Sequence, residues 1–297
     1  MKKLGFIGLG IMGKPMAKNL IKEGYDLVVY DLNKDVVDEL VNLGAEYKSL
    51  NEIGEMCEVI FTILPNGKIV QDVLFKEDGV ASTIKEGSIV VDMSSVTPTE
   101  SVFCAEKLEK IGVGFIDAPV SGGEPKAIDG TLAFMAGGKE DVYTKVLPYF
   151  DAMGSSSILI GPSGSGSVTK LTNQVIVNLT IAAVSEGFTL AAKAGADPEK
   201  VYQAIRGGLA GSAVLDAKIP MIINRDFKPG GKISINLKDI KNVMGTAHNI
   251  DVPMPLSSQL LEIMQSLKVA GGLDDDHAGI AKYFERLADV EIKKVEK

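Results

Sequence analysis

The chain has 297 residues, 45% of them hydrophobic and 24% charged, with a formal net charge of -8. That length exceeds one ordinary core and predicts two domains, while the acidic balance, with no basic stripe, excludes nucleic acid and an anionic membrane surface as partners. Cys57 and Cys104 are the only cysteines, His248 and His277 the only histidines, and neither pair has disulfide-framework or metal-ligand spacing. No metal is expected, and acid–base chemistry falls to a lysine or a carboxylate.

At the start, Met1-Lys2-Lys3 precedes an apolar stretch that glycines and Gly13-Lys14-Pro15 interrupt, so no signal peptide is read and a cytoplasmic protein is expected. Residues 4–7 predict a strand, and residues 16–22 have helical periodicity. Between them lies Gly8-Leu9-Gly10-Ile11-Met12-Gly13. In a strand–turn–helix unit the first glycine permits the tight turn and the second lets backbone approach a pyrophosphate. The third lets helix pack on strand, and the helix start faces the anion. A second strand, residues 27–30, ends in Asp31, where an acidic residue accepts from the adenosine ribose hydroxyls. Together they predict a site for NAD, with NADH preferred because a carboxylate repels a 2′-phosphate, and NADP possible.

Further apolar runs at 59–64, 88–92 and 114–117, separated by helical patterns, predict buried parallel strands. Ligands of doubly wound sheets bind outside the carboxyl ends of the strands, so Leu64-Pro65-Asn66 and Met93-Ser94-Ser95 should line the cofactor crevice. For Ser94 and Ser95, capping of the helix that begins near Pro98 is the equal alternative. After the next strand, Ser121-Gly122-Gly123 can turn successive N–H groups inward as a nest for a carboxylate, against the plainer reading of a surface turn. Residues 131–135 and 157–160 predict strands that flank a helix at 140–153 and close the sheet.

Beyond Gly161-Pro162 only helical periods follow, at 168–193, 198–206, 235–248, 255–269 and 278–290. Asp197-Pro198-Glu199 is a well-formed helix start, and Gly207-Gly208 ends that helix. The expected architecture is an α/β, Rossmann-type doubly wound sheet domain (1–162) followed by an all-α domain (163–297), joined by the long helix at 168–193. The most apolar part of that helix, 175–184, is interrupted by Asn178 and is too short to cross a bilayer. At its start Lys170, Asn173 and Gln174 stand at i, i+3 and i+4, which puts an ammonium and two carboxamides on one face. A solvated surface lysine is the plain alternative. The clustering of three polar groups, and a helix start that disfavours a cation, weigh against it.

Three stretches resemble the β-hydroxyacid dehydrogenase family over the whole chain: Phe6-Ile7-Gly8-Leu9-Gly10-Ile11-Met12-Gly13-Lys14-Pro15-Met16, Asp117-Ala118-Pro119-Val120-Ser121-Gly122-Gly123, and Gly166-Ser167-Val168-Thr169-Lys170. Within the family, the segments at 122–132 and 203–212 are most similar to the tartronate semialdehyde reductase branch. The resemblance implies an NAD(P)-dependent oxidoreductase that reduces tartronate semialdehyde reversibly to D-glycerate. Its alternatives are other small β-hydroxy acids (2-(hydroxymethyl)glutarate, 3-hydroxyisobutyrate, or the 4-hydroxybutyrate and succinic semialdehyde pair) and, from another class, a non-catalytic dinucleotide sensor.

The same resemblance implies that Lys170 is the catalytic lysine, that Ser121, Gly122 and Gly123 hold the substrate carboxylate, and that Asn173 and Gln174 assist. It implies that Ser95 and Lys238 touch the cofactor, with Asp239 beside Lys238. Two positions depart from the family's pattern: Gln174 stands where asparagine is frequent, and Gly231 where many members have a phenylalanine near the nicotinamide. A lysine side chain is ordinarily protonated up to about pH 10.4, so it serves as general acid for reduction at neutral pH. A helical second domain rich in apolar residues leads us to expect a homodimer or homotetramer.

Overall fold

The computed structural model describes residues 3–294, so Met1 and Lys2, part of the stretch read for a signal peptide, lie outside the described residues. Two compact units divide the chain, one up to Lys170 and one from Leu171. The first unit runs on past the Gly161-Pro162 turn because Asp117, at a strand end, bonds the backbone N–H groups of Gly164 and Ser167.

The apolar runs of the first unit form β1 (Lys3–Ile7), β2 (Asp26–Tyr30), β3 (Glu46–Tyr47), β4 (Val59–Thr62), β5 (Ile89–Asp92) and β6 (Gly114–Asp117). These are parallel, in the order β3-β2-β1-β4-β5-β6. This is the doubly wound dinucleotide-binding order, and its strand order reverses between β1 and β4. The sheet continues through β7 (Val120–Ser121), β8 (Leu132–Gly138) and β9 (Gly154–Gly161). β8 runs antiparallel to β6 and β7, and β9 parallel to β8.

Successive strand residues point to opposite faces, and here both faces are buried. Phe6, Val29, Phe61, Val91 and Ile116 belong to one core, with Met16, Ala17 and Leu20 of α1 (Gly13–Lys22), Val37 and Leu40 of α2 (Lys34–Val41), and Val146 and Phe150 of α7 (Glu140–Met153). Their chain neighbours Ile7, Val28, Ile60, Val90 and Phe115 belong to the other. That second core is completed by Ile53 of α3 (Leu50–Met56), Val70 and Leu74 of α4 (Gly67–Phe75), and Cys104 and Leu108 of α5 (Pro98–Glu109). Each fully buried side chain of this size contributes about 1.5–3 kcal/mol. Cys57 and Cys104 are buried, and burial pushes both thiols up to about 12, which leaves them inert as nucleophiles.

Two local expectations change. The cap of α5 is Thr97, in a reciprocal box with Glu100, and not Ser94 or Ser95. The stretch after Ser121 is no plain turn: it enters a short helix, α6 (Gly123–Asp129).

In the second unit the long helix α8 (Ser165–Lys193) contributes Leu171, Ile181 and Ala182 to a core with α11 (Ile233–Asn249) and α12 (Pro255–Val269). Phe188 joins another core with α9 (Pro198–Ile205) and α10 (Ala213–Ile223). The sequence patterns missed α10, whose apolar residues lack an amphipathic period and whose Pro220 reads as a breaker. The last predicted helix is a 3-10 turn, His277–Ile280, followed by α13 (Ala281–Ala288). By length and mean hydropathy (1.6 over its most apolar window) α8 is able to cross a membrane, contrary to the expectation from its short apolar part. It nonetheless lays its buried positions into two protein cores.

Asp276 is the polar staple of this unit. Fully buried, it accepts from Lys218 Nζ (2.8 Å) and from the N–H groups of Ala278 (2.9 Å), Gly230 (3.1 Å) and Gly231 (3.0 Å). Burial pushes its carboxyl up, but the Lys218 bond, the Ala278 N–H and the neighbouring positive charges outweigh it and hold it below the ordinary value. A lowered carboxyl contributes stability above the unfolded pKa and loses it only as pH falls through the folded one. Removing it strands a half-buried lysine and three N–H groups. Asp276→Ala should therefore lower stability by about 3–5 kcal/mol, read as a shift of the urea midpoint at neutral pH.

Candidate active site

Because β1, β4, β5 and β6 end in register (Ile7, Thr62, Asp92, Asp117), the segments that follow them leave the sheet side by side. Gly8 has φ +98°, and its N–H donates to Tyr30 O (3.0 Å). A Cβ there would lie 2.3 Å from Ile63 O, and one on Gly13 would lie 2.0 Å from Gly8 O, whereas one on Gly10 would meet nothing within 4 Å. Packing requires the first and third glycines; the second alone faces open space. α1 starts after Met12 with no side-chain cap and no acidic residue in its first turn, so none of its own side chains neutralises its positive end. Leu9 is buried and Ile11 exposed. Asp31 follows β2 and braces the turn: Oδ2 accepts from the Leu9 N–H (2.6 Å) and Oδ1 from the Asn33 N–H (2.8 Å).

The next two loops are tied together. Leu64 N–H donates to Ser94 Oγ (2.8 Å), and Ser94 Oγ and Thr62 Oγ1 donate to Asp92 Oδ1 (2.5 and 2.7 Å). Burial pushes the Asp92 carboxyl up against these bonds. Pro65 and Asn66 are exposed, and Asn66 caps α4 by accepting from the Ile69 N–H (3.0 Å). Ser95 is half-buried.

Ser121 pairs with Ala133 in the sheet, and Gly122 (φ +136°) and Gly123 (φ +70°) follow in backbone that side chains rarely adopt. Lys170 is half-buried, and its Nζ donates to Val120 O at 2.8 Å, which brings the ammonium to the residue just before Ser121. The structure thus brings together Lys170 and the Ser121-Gly122-Gly123 turn.

The remaining site residues lie in the second unit. Gln174 is buried and fully engaged: Nε2 donates to Asp239 Oδ2 (2.7 Å) and Asn236 Oδ1 (3.2 Å), and Oε1 accepts from Asn173 Nδ2 (3.0 Å). Lys238 Nζ pairs with Asp239 Oδ1 at 3.1 Å. Gly231 has its N–H on Asp276, and a Cβ there would start 3.6 Å from His277 Nε2. Ser212 caps α10 through the Leu215 N–H.

Two family models cover most of the chain: the NAD binding domain of 6-phosphogluconate dehydrogenase matches residues 3–161, and the NAD-binding region of NADP-dependent 3-hydroxyisobutyrate dehydrogenase matches 164–284. The 2-hydroxy-3-oxopropionate reductase of Escherichia coli is 40% identical over 97% of this chain and 98% of its own. The chain belongs to the β-hydroxyacid dehydrogenase family. It is an NAD(P)-dependent oxidoreductase of that family. The 2-(hydroxymethyl)glutarate dehydrogenase of Eubacterium barkeri is 33% identical over 98% of this chain and 97% of its own. The crystal structure of 3-hydroxyisobutyrate dehydrogenase from Salmonella typhimurium superposes with TM-score 0.86 at 30% identity, covering 96% of this chain and 100% of that one.

For a β-hydroxyacid dehydrogenase the glycine turn fits its cofactor on its own geometry. The open side of Gly10 leaves room for a pyrophosphate, the uncapped start of α1 favours its charge, and the Asp31 carboxylate stands beside Leu9, where it would meet ribose hydroxyls. Sequence reasoning missed Asp92 and Asp117 as organisers of the strand ends. The available signal was the one used for Asp31, a carboxylate closing an apolar strand. Gly10→Ala should leave stability within about 0.5 kcal/mol but weaken NADH binding at least about tenfold. Gly8→Ala, strained and in collision with Ile63 O, should cost about 1–3 kcal/mol of stability. Thermal melts and NADH titration by fluorescence separate the two outcomes.

Proposed function

We propose that this β-hydroxyacid dehydrogenase reduces tartronate semialdehyde to D-glycerate, with NADH as the preferred donor. The observation that carries the reading is the 2.8 Å bond from Lys170 Nζ to Val120 O, next to Ser121. In this reading the Ser121 hydroxyl and the N–H groups of Gly122 and Gly123 hold the substrate carboxylate. The nicotinamide, when bound, supplies the hydride. Lys170 then meets the developing alkoxide with positive charge and gives it a proton from Nζ. Asn173 assists at the hydroxyl, its carboxamide oriented by Gln174, and Ser95 and Lys238 contact the cofactor. Other small β-hydroxy acids would use the same groups, so the choice among them rests on the pocket walls. The 40% identical reductase supports the named substrate over the 33% identical 2-(hydroxymethyl)glutarate enzyme. Exposed Ile176 and Leu190 on α8 support association into a dimer or tetramer.

Lys170→Ala should lower kcat by about 10³-fold or more, since charge and proton are lost together, while NADH titration remains as in the wild type. Lys170→Arg should restore little, because a guanidinium keeps the charge but not a transferable proton. A variant that keeps a large share of wild-type kcat would make the lysine structural.

Substrate choice is tested by kcat/KM across a panel. A site that bonds a hydroxyl rejects analogues lacking it by up to about 10⁴-fold, so tartronate semialdehyde should exceed methylmalonate and succinic semialdehydes by at least about tenfold. In the same assay NADH should exceed NADPH by about tenfold or more, because the Asp31 carboxylate repels a 2′-phosphate. A deoxy analogue that matches tartronate semialdehyde would overturn the substrate and leave the lysine chemistry standing.

A further inference from the structure

Asp117 closes β6, is 1% exposed, and takes no part in the chemistry proposed above. Its carboxylate does a helix cap's work from a distance. The first turn of α8 is preceded by Gly164, which has no side chain to offer and a φ of +94°, while Val168 N–H already bonds Gly164 O (2.9 Å). Asp117 supplies the missing acceptors: Oδ1 receives the Gly164 N–H at 2.7 Å and Oδ2 the Ser167 N–H at 2.8 Å. Space for this is made by glycines, since a Cβ on Gly137 would lie 2.7 Å from Oδ1 and one on Gly166 2.9 Å from Oδ2.

The peptide stretch that follows Asp117 is also the one Lys170 reaches. Ala118 N–H bonds Asp92 O (2.7 Å), Pro119 O receives the Met135 N–H (3.0 Å), and Val120 pairs with Phe134, so Asp117 to Val120 is held at every residue. Its beginning fixes Ser167, and its end accepts the ammonium of Lys170, one turn further along the helix.

We infer that Asp117 is a positioning residue: by capping α8 from the end of β6 it sets the axial position of the helix start, and so the place of Lys170 Nζ beside Val120 O and Ser121. The inference rests on the reading of Lys170 as the proton donor. Two convergent N–H donors explain the choice of a carboxylate, because an amide would offer one oxygen and aim an N–H at the other donor. The choice works against stability. Burial, with Asp92 on the neighbouring strand adding to it, raises the carboxyl to about 7, so the ionised form is held at a cost.

The test uses the full chain with NADH and tartronate semialdehyde, comparing Asp117→Asn and Lys170→Ala singly and together. Displacing a reacting group by about 1 Å costs about 10²-fold. Asp117→Asn is therefore expected to lower kcat about 10²-fold, with KM, the NADH dissociation constant and the melting temperature little changed. The double variant should be no slower than Lys170→Ala, as for residues acting as a unit. Wild-type kcat in Asp117→Asn beside an inactive Lys170→Ala overturns this inference alone. So does an equal slowing by Asp117→Asn in both backgrounds, or a loss of NADH affinity and melting temperature in step with kcat. An active Lys170→Ala overturns the lysine reading and this inference with it. Should Asp117→Asn not fold, Ser167→Pro removes one of the two donors in the first turn of α8, where the N–H serves Asp117. Ser101→Ala is its control for the Ser101–Ser167 hydroxyl pair (2.9 Å). Ser167→Pro should lower kcat where Ser101→Ala does not, and equal rates overturn the inference.

Discussion

A parallel sheet covered by helices on both faces has no strand interior to spare for chemistry; only the strand ends are left. In this chain the alternation is complete enough that adjacent residues such as Phe6 and Ile7, or Val90 and Val91, serve opposite cores. The polar groups accordingly collect where β1, β4, β5 and β6 end in register, and the glycine turn, the Leu64 and Ser94 loops and the Asp117 stretch emerge together. The site of the first unit is a consequence of how its core is closed.

Order at that edge is kept by buried carboxylates without a cation in their hydrogen-bond sets. Asp92 is satisfied by Thr62 and Ser94, and Asp117 by two backbone N–H groups. Desolvation raises both carboxyls. A raised carboxyl contributes stability that is fully present below its unfolded pKa and is lost as pH rises through the folded one. For Asp117 that loss begins in the ordinary carboxylate range and is complete near pH 7. The fold therefore buries two carboxyl groups whose ionisation works against its own stability, in exchange for acceptors that fix where loops and a helix begin. Asp276 of the second unit is the opposite case. With Lys218 among its partners, its carboxyl is lowered and its ionised form stabilises.

The departure at Gln174 has a local physical account. Its carboxamide spans from Asn173 on one side to Asn236 and Asp239 on α11 on the other. An asparagine, one methylene shorter, would not carry the amide as far from the α8 backbone. With Oε1 taken by Asn173, the glutamine fixes which way the Asn173 amide is turned, and Asp239 links the same network to Lys238. In this chain position 174 organises polar neighbours inside the second unit.

The sequence by itself determined the parallel strands, the glycine turn with Asp31, the all-helical second half and the place of Lys170 near the start of the long helix, because each rests on local periodicity or on a motif within one stretch. It also yielded the α7 span and the cap at Asp197, which are set by neighbours in the chain. It did not reveal α10, since a helix apolar on most sides has no period to read, nor the cap of α5, where Ser94 turned inward to Asp92 and left Thr97 to do the capping. Only the tertiary structure decided which side chains meet across long separations. Asp117 finds Ser167 fifty residues on, and Lys170 finds Val120 fifty residues back. Such contacts depend on how the sheet register and the helix start are brought together in space, and no local pattern of residues records that distance.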